Sequence, residues 1–317
     1  MSIALFTHAA CLEHDQGPGH PESPDRLRAV MEALAHPDFA DLRREPAPLA
    51  TEAQLGLAHP ARYVAKILAI RPGPGETVRL DADTVMNAGS AEAASRAAGG
   101  ACAAVDAVMA GQVAAAFVAV RPPGHHAEPS QAMGFCLFGS VAIAALHARE
   151  RWGLRRIAVV DFDVHHGNGS QAILQDDPEM FFASSHQSPC YPGTGAASES
   201  GIAHNVVNVP LAPGSGSEQF RLAWSDTILP ALDRFAPELL LVSAGFDAHR
   251  ADPLAQLELD TDDFRWVTEA LMAIADRRCN GRIVSVLEGG YDLQALAQSA
   301  ATHVRALLRH SAGLRTV

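Results

Sequence analysis

Short, nearly continuous apolar runs, set between longer Ala-rich stretches, limit what this chain can fold into. The runs lie at residues 3–6, 116–120, 157–161, 180–184, 205–209, 239–243 and 283–287. A strand that is apolar at almost every position must be covered on both faces, which is the situation inside a parallel sheet. Helical patterns fill the gaps at 24–34, 88–110, 139–149, 217–234, 261–275 and 293–308. Repeated strand–helix units of this spacing predict a doubly wound α/β domain. In such sheets ligands bind beyond the carboxyl ends of the strands, so the residues just after each run become the candidates for function.

Composition narrows the class. A chain of 317 residues that is 48% hydrophobic can bury one large core. The Pro/Gly stretch at 71–75 reads as a surface loop, and residues 1–317 are expected to form one domain. The net charge of −12 argues against a nucleic-acid partner, whose phosphates need Lys and Arg, and is compatible with a cationic substrate. Five cysteines without CxxC spacing, at 11, 102, 136, 190 and 279, read as reduced thiols. The start lacks a basic segment followed by a long apolar one, and no window resembles a membrane span, so the expected location is the cytoplasm.

Four polar clusters follow the apolar runs. Asp161-Phe162-Asp163-Val164-His165-His166-Gly167-Asn168-Gly169 comes after the run at 157–160. Alternation puts Asp161, Asp163 and His165 on one side, where two carboxylates and an imidazole are costly unless paired or bound to metal. Asp163 and His165 are suitable ligands for a first-row metal. Arg121-Pro122-Pro123-Gly124-His125-His126 follows 116–120, and its paired imidazoles suit metal binding or acid–base work near neutrality. Ser243-Ala244-Gly245-Phe246-Asp247-Ala248-His249-Arg250-Ala251-Asp252-Pro253-Leu254 follows 239–242. Either Asp247 or Asp252 could complete a metal site, and the residues alone leave that choice open. Glu288-Gly289-Gly290-Tyr291-Asp292 presents a phenol at the sheet's edge, a good donor to a developing oxyanion.

Together these clusters resemble the zinc-dependent histone deacetylase superfamily, which includes bacterial acetylpolyamine amidohydrolases. RPPGHHA, GFC, DFDVHHGNG, PGTG, SAGFDAHRADP and EGGYD occur in the family's order, preceded by GHPESPDRL at 19–27. The match looks most like the class II branch and its bacterial relatives. The resemblance implies a single domain with a central parallel eight-stranded sheet flanked by helices, the arginase/deacetylase fold. It implies one catalytic zinc held by Asp163, His165 and Asp252, with Asp247 supporting, and hydrolysis of an N-acyl amide that releases acetate. His126 would be the general base, His125 its electrostatic partner oriented by Asp161, and Tyr291 the oxyanion donor. Asn168 would orient His126 without adding charge, so His126 should titrate lower than beside a carboxylate.

Further positions are implied by the same resemblance. Gly134 and Phe135 would form one wall of the acyl-lysine tunnel and Tyr191 the other. Leu259, seven residues past Asp252, would stand where polyamine-specialised relatives carry a recognising Glu. Arg26 would line an acetate channel. Asp161, Asp163, His165, Ser184 and Ser185 match a structural potassium site. The expected substrate is acetyl-lysine in a protein or peptide, with an acetylpolyamine as the alternative; a homo-oligomer is compatible but not readable. A two-manganese, arginase-like hydrolase is disfavoured because HHGNG lacks the extra carboxylates of a dinuclear site. A catalytically dead acyl-lysine binding protein is disfavoured because the tyrosine, both histidines and the implied ligands are all present.

Overall fold

The computed structural model describes residues 2–313. Its strands are β1 (Ile3–Thr7), β2 (Arg43–Pro46), β3 (Val78–Arg79), β4 (Val85–Met86), β5 (Ala115–Val118), β6 (Ile157–Asp161), β7 (Met180–Gln187), β8 (Val206–Leu211), β9 (Leu239–Ala244) and β10 (Ile283–Leu287). Eight of them form one parallel sheet in the order β2-β1-β5-β10-β9-β6-β7-β8. β3 and β4 make a separate antiparallel pair. Every residue of β5, β6, β7, β9 and β10 is buried, because helices cover both faces of the sheet. Full burial of each Val, Leu or Ile there contributes about 1.5–3 kcal/mol, which fixes these strands in place.

The single α/β domain and its eight-stranded parallel sheet agree with the architecture expected from the sequence. β2 is the strand that the apolar pattern does not announce. Its residues Arg43, Arg44, Glu45 and Pro46 are largely exposed at the sheet edge, where charge and proline block further pairing. The helix expected over 217–234 is interrupted. Ser217–Leu222 and Leu229–Phe235 are α-helical, and Ala223–Ile228 between them widens to π geometry just before Pro230. Proline has no N–H to give to the preceding turn, and a widened turn absorbs the defect. The helices Ala61–Ala69 and Asn168–Leu174 were not anticipated.

Register decides where the polar clusters meet. Asp161 pairs with Ser184 on one side and Ser243 on the other, and Leu287 pairs with Ala244. The carboxyl ends of β6, β9 and β10 therefore finish within a residue of one another, β7 runs on to Gln187, and the loops after β6, β9 and β10 meet at one edge of the sheet.

A buried ion cluster ties the start of the chain to this edge. Glu22 is fully buried and accepts from Arg26 Nη1 at 3.0 Å and from Arg121 Nη2 at 2.7 Å. Arg121 also donates to the carbonyls of Cys11 and His14, and Arg26 donates from Nε to Gly290 O at 2.6 Å. Burial alone would raise the Glu22 carboxyl, but the charge of Arg121, helped by His14 and Arg26, holds it well below the usual carboxylate range. Removing one member leaves uncompensated charge in the core. Glu22→Ala is therefore expected to lower the unfolding free energy by about 3–5 kcal/mol, read from urea midpoints at constant slope. A loss below about 1 kcal/mol, the worth of a surface ion pair, contradicts this role.

Candidate active site

The loop after β6 supplies the centre. Asp161 Oδ1 accepts the N–H of Asp163 at 3.0 Å, and Asp163 Oδ1 accepts the N–H of His165 at 2.9 Å. The loop after β9 brings Asp247, whose Oδ1 accepts the N–H of Val164 at 2.8 Å. His165 Nδ1 then lies 3.1 Å from both Asp163 Oδ1 and Asp247 Oδ2. Ligand atoms of Asp163, His165 and Asp247 all fall within 4.8 Å of one another, and all three residues are buried. Gly289 makes the close approach possible: a Cβ there would stand 2.1 Å from Asp247 Oδ2 and 2.5 Å from Asp163 Oδ2. The Gly289 N–H donates to Asp163 Oδ2 at 2.8 Å.

The two histidines after β5 differ in their partners. His125 Nδ1 is 2.9 Å from Asp161 Oδ2. Burial works against its charge, but Asp163 and Asp161 outweigh that and raise its pKa to about 10. His126 Nδ1 is 2.8 Å from Asn168 Oδ1, and Asn168 Nδ2 donates to Glu128 Oε1. Burial, then the nearby charges of His125 and His165, push His126 well below the ordinary histidine value. One imidazole is held charged and its neighbour neutral, the separation expected of an acid–base pair. Glu288 steadies the loop: its Oε2 accepts the N–H groups of Gly124 and His125, while burial pushes its carboxyl up to about 7.

A cavity of about 230 Å³ opens onto this cluster, lined by Asp83, His126, Gly134, Phe135, His165, Tyr191, Leu254 and Tyr291. Tyr191 meets His126 edge to face at 5.1 Å between ring centroids, and Phe135 meets Tyr291 at 5.9 Å. The volume is below the range usual for drug-sized ligands, which suits a slim chain with its reactive end at the histidines.

The same residues match the Histone deacetylase domain over positions 20–307. The chain is 40% identical to the Histone deacetylase-like amidohydrolase of Pseudomonas aeruginosa, over 91% of this chain and 81% of that one. It is 36% identical to a protein named "Probable deacetylase" from Archaeoglobus fulgidus, over 93% and 82%. The crystal structure of the HDA15 HD domain superposes with a TM-score of 0.91 at 34% identity, covering 97% of this chain and 88% of that one. This chain belongs to the histone deacetylase family.

Within that family frame, two expected assignments need correction, and both have one cause. The three-residue group able to hold a metal contains Asp247, not Asp252. Asp252 spends its oxygens elsewhere: Oδ1 accepts the N–H of Leu254 at 3.0 Å and Oδ2 that of Tyr291 at 2.7 Å. Burial, then repulsion from Asp247, raises its pKa to about 7. The tunnel-mouth position counted seven residues past Asp252 moves with it. Leu259 is fully buried and bonded to the backbone of Ala248 and Arg250, away from the cavity. Seven residues past Asp247 stands Leu254, which lines the cavity and is 38% exposed.

The remaining expected residues are placed as follows. His125, His126, Asp161, Asp163, His165, Asn168 and Tyr291 come together, and Gly134, Phe135 and Tyr191 line the cavity. Arg26 lies beneath, with its guanidinium 4.8 Å from the Tyr291 ring centroid. Ser184 and Ser185 stand on β7, their hydroxyls engaged by His186 and by the Trp224 indole. Asp83, Glu288 and Leu254 were not anticipated as parts of the site. Asp83 Oδ1 accepts from Gly134 N and Thr84 Oγ1, so it joins the β3–β4 turn to the tunnel wall.

Asn168→Asp would set a carboxylate against His126 Nδ1. A carboxylate at hydrogen-bond distance raises an imidazole pKa by about 1–3 units. The acidic limb of the kcat/KM pH profile should move upward by that amount; an unmoved limb contradicts the proposed neutrality of His126.

Proposed function

We propose that the protein is a zinc-dependent deacetylase that hydrolyses N-acetyl groups on lysine side chains of proteins or peptides and releases acetate. The observation that carries this reading is the buried group Asp163, His165 and Asp247, whose His165 lines the same cavity as His126 and Tyr291. The fit to a divalent ion rests on charge. Among the described residues, Asp161, Asp163, Asp247 and Asp252 pair with histidines or backbone N–H groups and with no Lys or Arg. Such buried carboxylates are costly without a cation, and an oxygen and imidazole set suits zinc. When bound there, zinc would act as a Lewis acid toward the acyl carbonyl and lower the pKa of water.

The chain's own groups then have distinct tasks. Neutral His126 accepts the proton of the attacking water and returns it to the departing amine. His125, held cationic by Asp161 and Asp163, supplies positive charge beside the reacting centre. Burial raises the Tyr291 phenol well above its usual pKa, although Arg26 opposes the shift, so the hydroxyl keeps its proton and can donate to the tetrahedral oxyanion. Gly134, Phe135 and Tyr191 enclose the aliphatic stem. A potassium ion near Asp161, Asp163, His165, Ser184 and Ser185 remains part of this reading, at the β6–β7 rungs where Asp161 pairs with Ser184. Location in the cytoplasm is likewise proposed; no helix of the described residues is long and apolar enough to cross a membrane.

Leu254 at the mouth offers no partner to a second ammonium group, and Asp83, the carboxylate in the same lining, already accepts at Oδ1 from Gly134 N and Thr84 Oγ1, which together favour acetyl-lysine over an acetylpolyamine. Zinc-loaded protein should therefore show higher kcat/KM on acetyl-lysine peptides than on acetylputrescine or acetylspermidine. The reverse order contradicts the substrate assignment, and absence of turnover on every acyl amide supports a binding module instead. Tyr291→Phe should keep zinc and lower kcat by about 10²–10³, as for the loss of an oxyanion donor. A near-normal kcat removes Tyr291 from the chemistry.

A further inference from the structure

Tyr291 sits in a turn that no sheet or helix ladder holds. β10 ends at Leu287 and the next helix begins at Leu293. Gly290, with φ +124°, bends the chain so that the following phenol faces the cavity. The peptide group between Gly290 and Tyr291 is gripped at both edges. Its carbonyl accepts from Arg26 Nε at 2.6 Å, and its N–H donates to Asp252 Oδ2 at 2.7 Å. The orientation of that peptide plane sets the direction of the Tyr291 Cα–Cβ bond.

Asp252 is well suited to this grip. It is 8% exposed, and its second oxygen is fixed within its own turn by the N–H of Leu254 at 3.0 Å. A carboxyl group held at both oxygens in this way cannot rotate to follow the turn. We propose that Asp252 is the positioning residue for Tyr291, crossing from the loop after β9 to the turn after β10 and aiming the phenol at the oxyanion. It acts through the backbone and touches neither substrate nor metal. The proposal rests on the reading of Tyr291 as the oxyanion donor.

A double-mutant cycle tests it. Asp252→Ala should lower kcat by about tenfold or more, the effect of about 1.4 kcal/mol on the barrier, with KM changed less than about threefold. In a Tyr291→Phe background the same substitution should change kcat less than about threefold, because residues acting as one unit are not additive. Bound zinc should stay at one equivalent in every variant. In the metal-free protein the Tyr291 amide should exchange with solvent faster once Asp252 is replaced. Asp252→Asn keeps the side chain's shape and should show the same pattern at smaller amplitude, which covers an unstable alanine variant.

An undiminished loss in the Tyr291→Phe background overturns the positioning role and leaves the deacetylase reading intact. Loss of zinc in Asp252→Ala overturns it too, because Asp252 would then be a ligand. If Tyr291→Phe alone leaves kcat unchanged, the oxyanion assignment itself fails and this inference falls with it.

Discussion

Buried negative charge is concentrated at one edge of the sheet. Asp161, Asp163, Asp247, Asp252 and Glu288 all lie in the core there, answered by His125 and His165 rather than by surface cations. Backbone hydrogen bonds and a missing side chain help to keep these carboxylates in place. Backbone N–H groups of Asp163, Val164, His165 and Gly289 each take one carboxylate oxygen, and glycine at 289 leaves room for two of them. Such an arrangement is expensive in an apolar core and persists because the sheet around it is buried on both faces.

The same charge sorts the two histidines. His125 faces two aspartates and is held protonated, whereas His126 faces the Asn168 amide and is pushed down by burial first, and then by the imidazoles beside it. The two Nδ1 atoms thus meet different partners, a carboxylate and an amide. The Glu22 cluster acts at longer range. Through Arg121 and Arg26 it joins the first thirty residues to the histidine loop and to the Gly290 carbonyl, so the early chain is part of the site's frame.

Most of this was legible in the sequence where one physical rule governed. Strands buried on both faces leave continuous apolar runs, and those runs gave seven of the eight sheet strands. Polar residues directly after them, such as Asp161, Asp163, His165 and Tyr291, are conspicuous because such positions are otherwise apolar or turn-forming. β2 was hidden because an edge strand reads as charged loop. Asp247 and Asp252 were not separable, since both follow β9 within a few residues and only the course of the loop decides which one faces His165. The mouth position, counted seven residues on, shifts with that assignment between Leu259, which is buried, and Leu254, which lines the cavity. Asp83 and Glu22 carry no local pattern of their own; their partners lie 51 and 99 residues away, at Gly134 and Arg121.

On the proposed reading, Asp163, His165 and Asp247 form a site for one divalent ion. Calorimetric titration of zinc into metal-free protein tests it most directly. The wild-type chain should take up one equivalent, and Asp247→Ala should take up none under the same conditions. A full equivalent bound by Asp247→Ala would exclude Asp247 as a ligand.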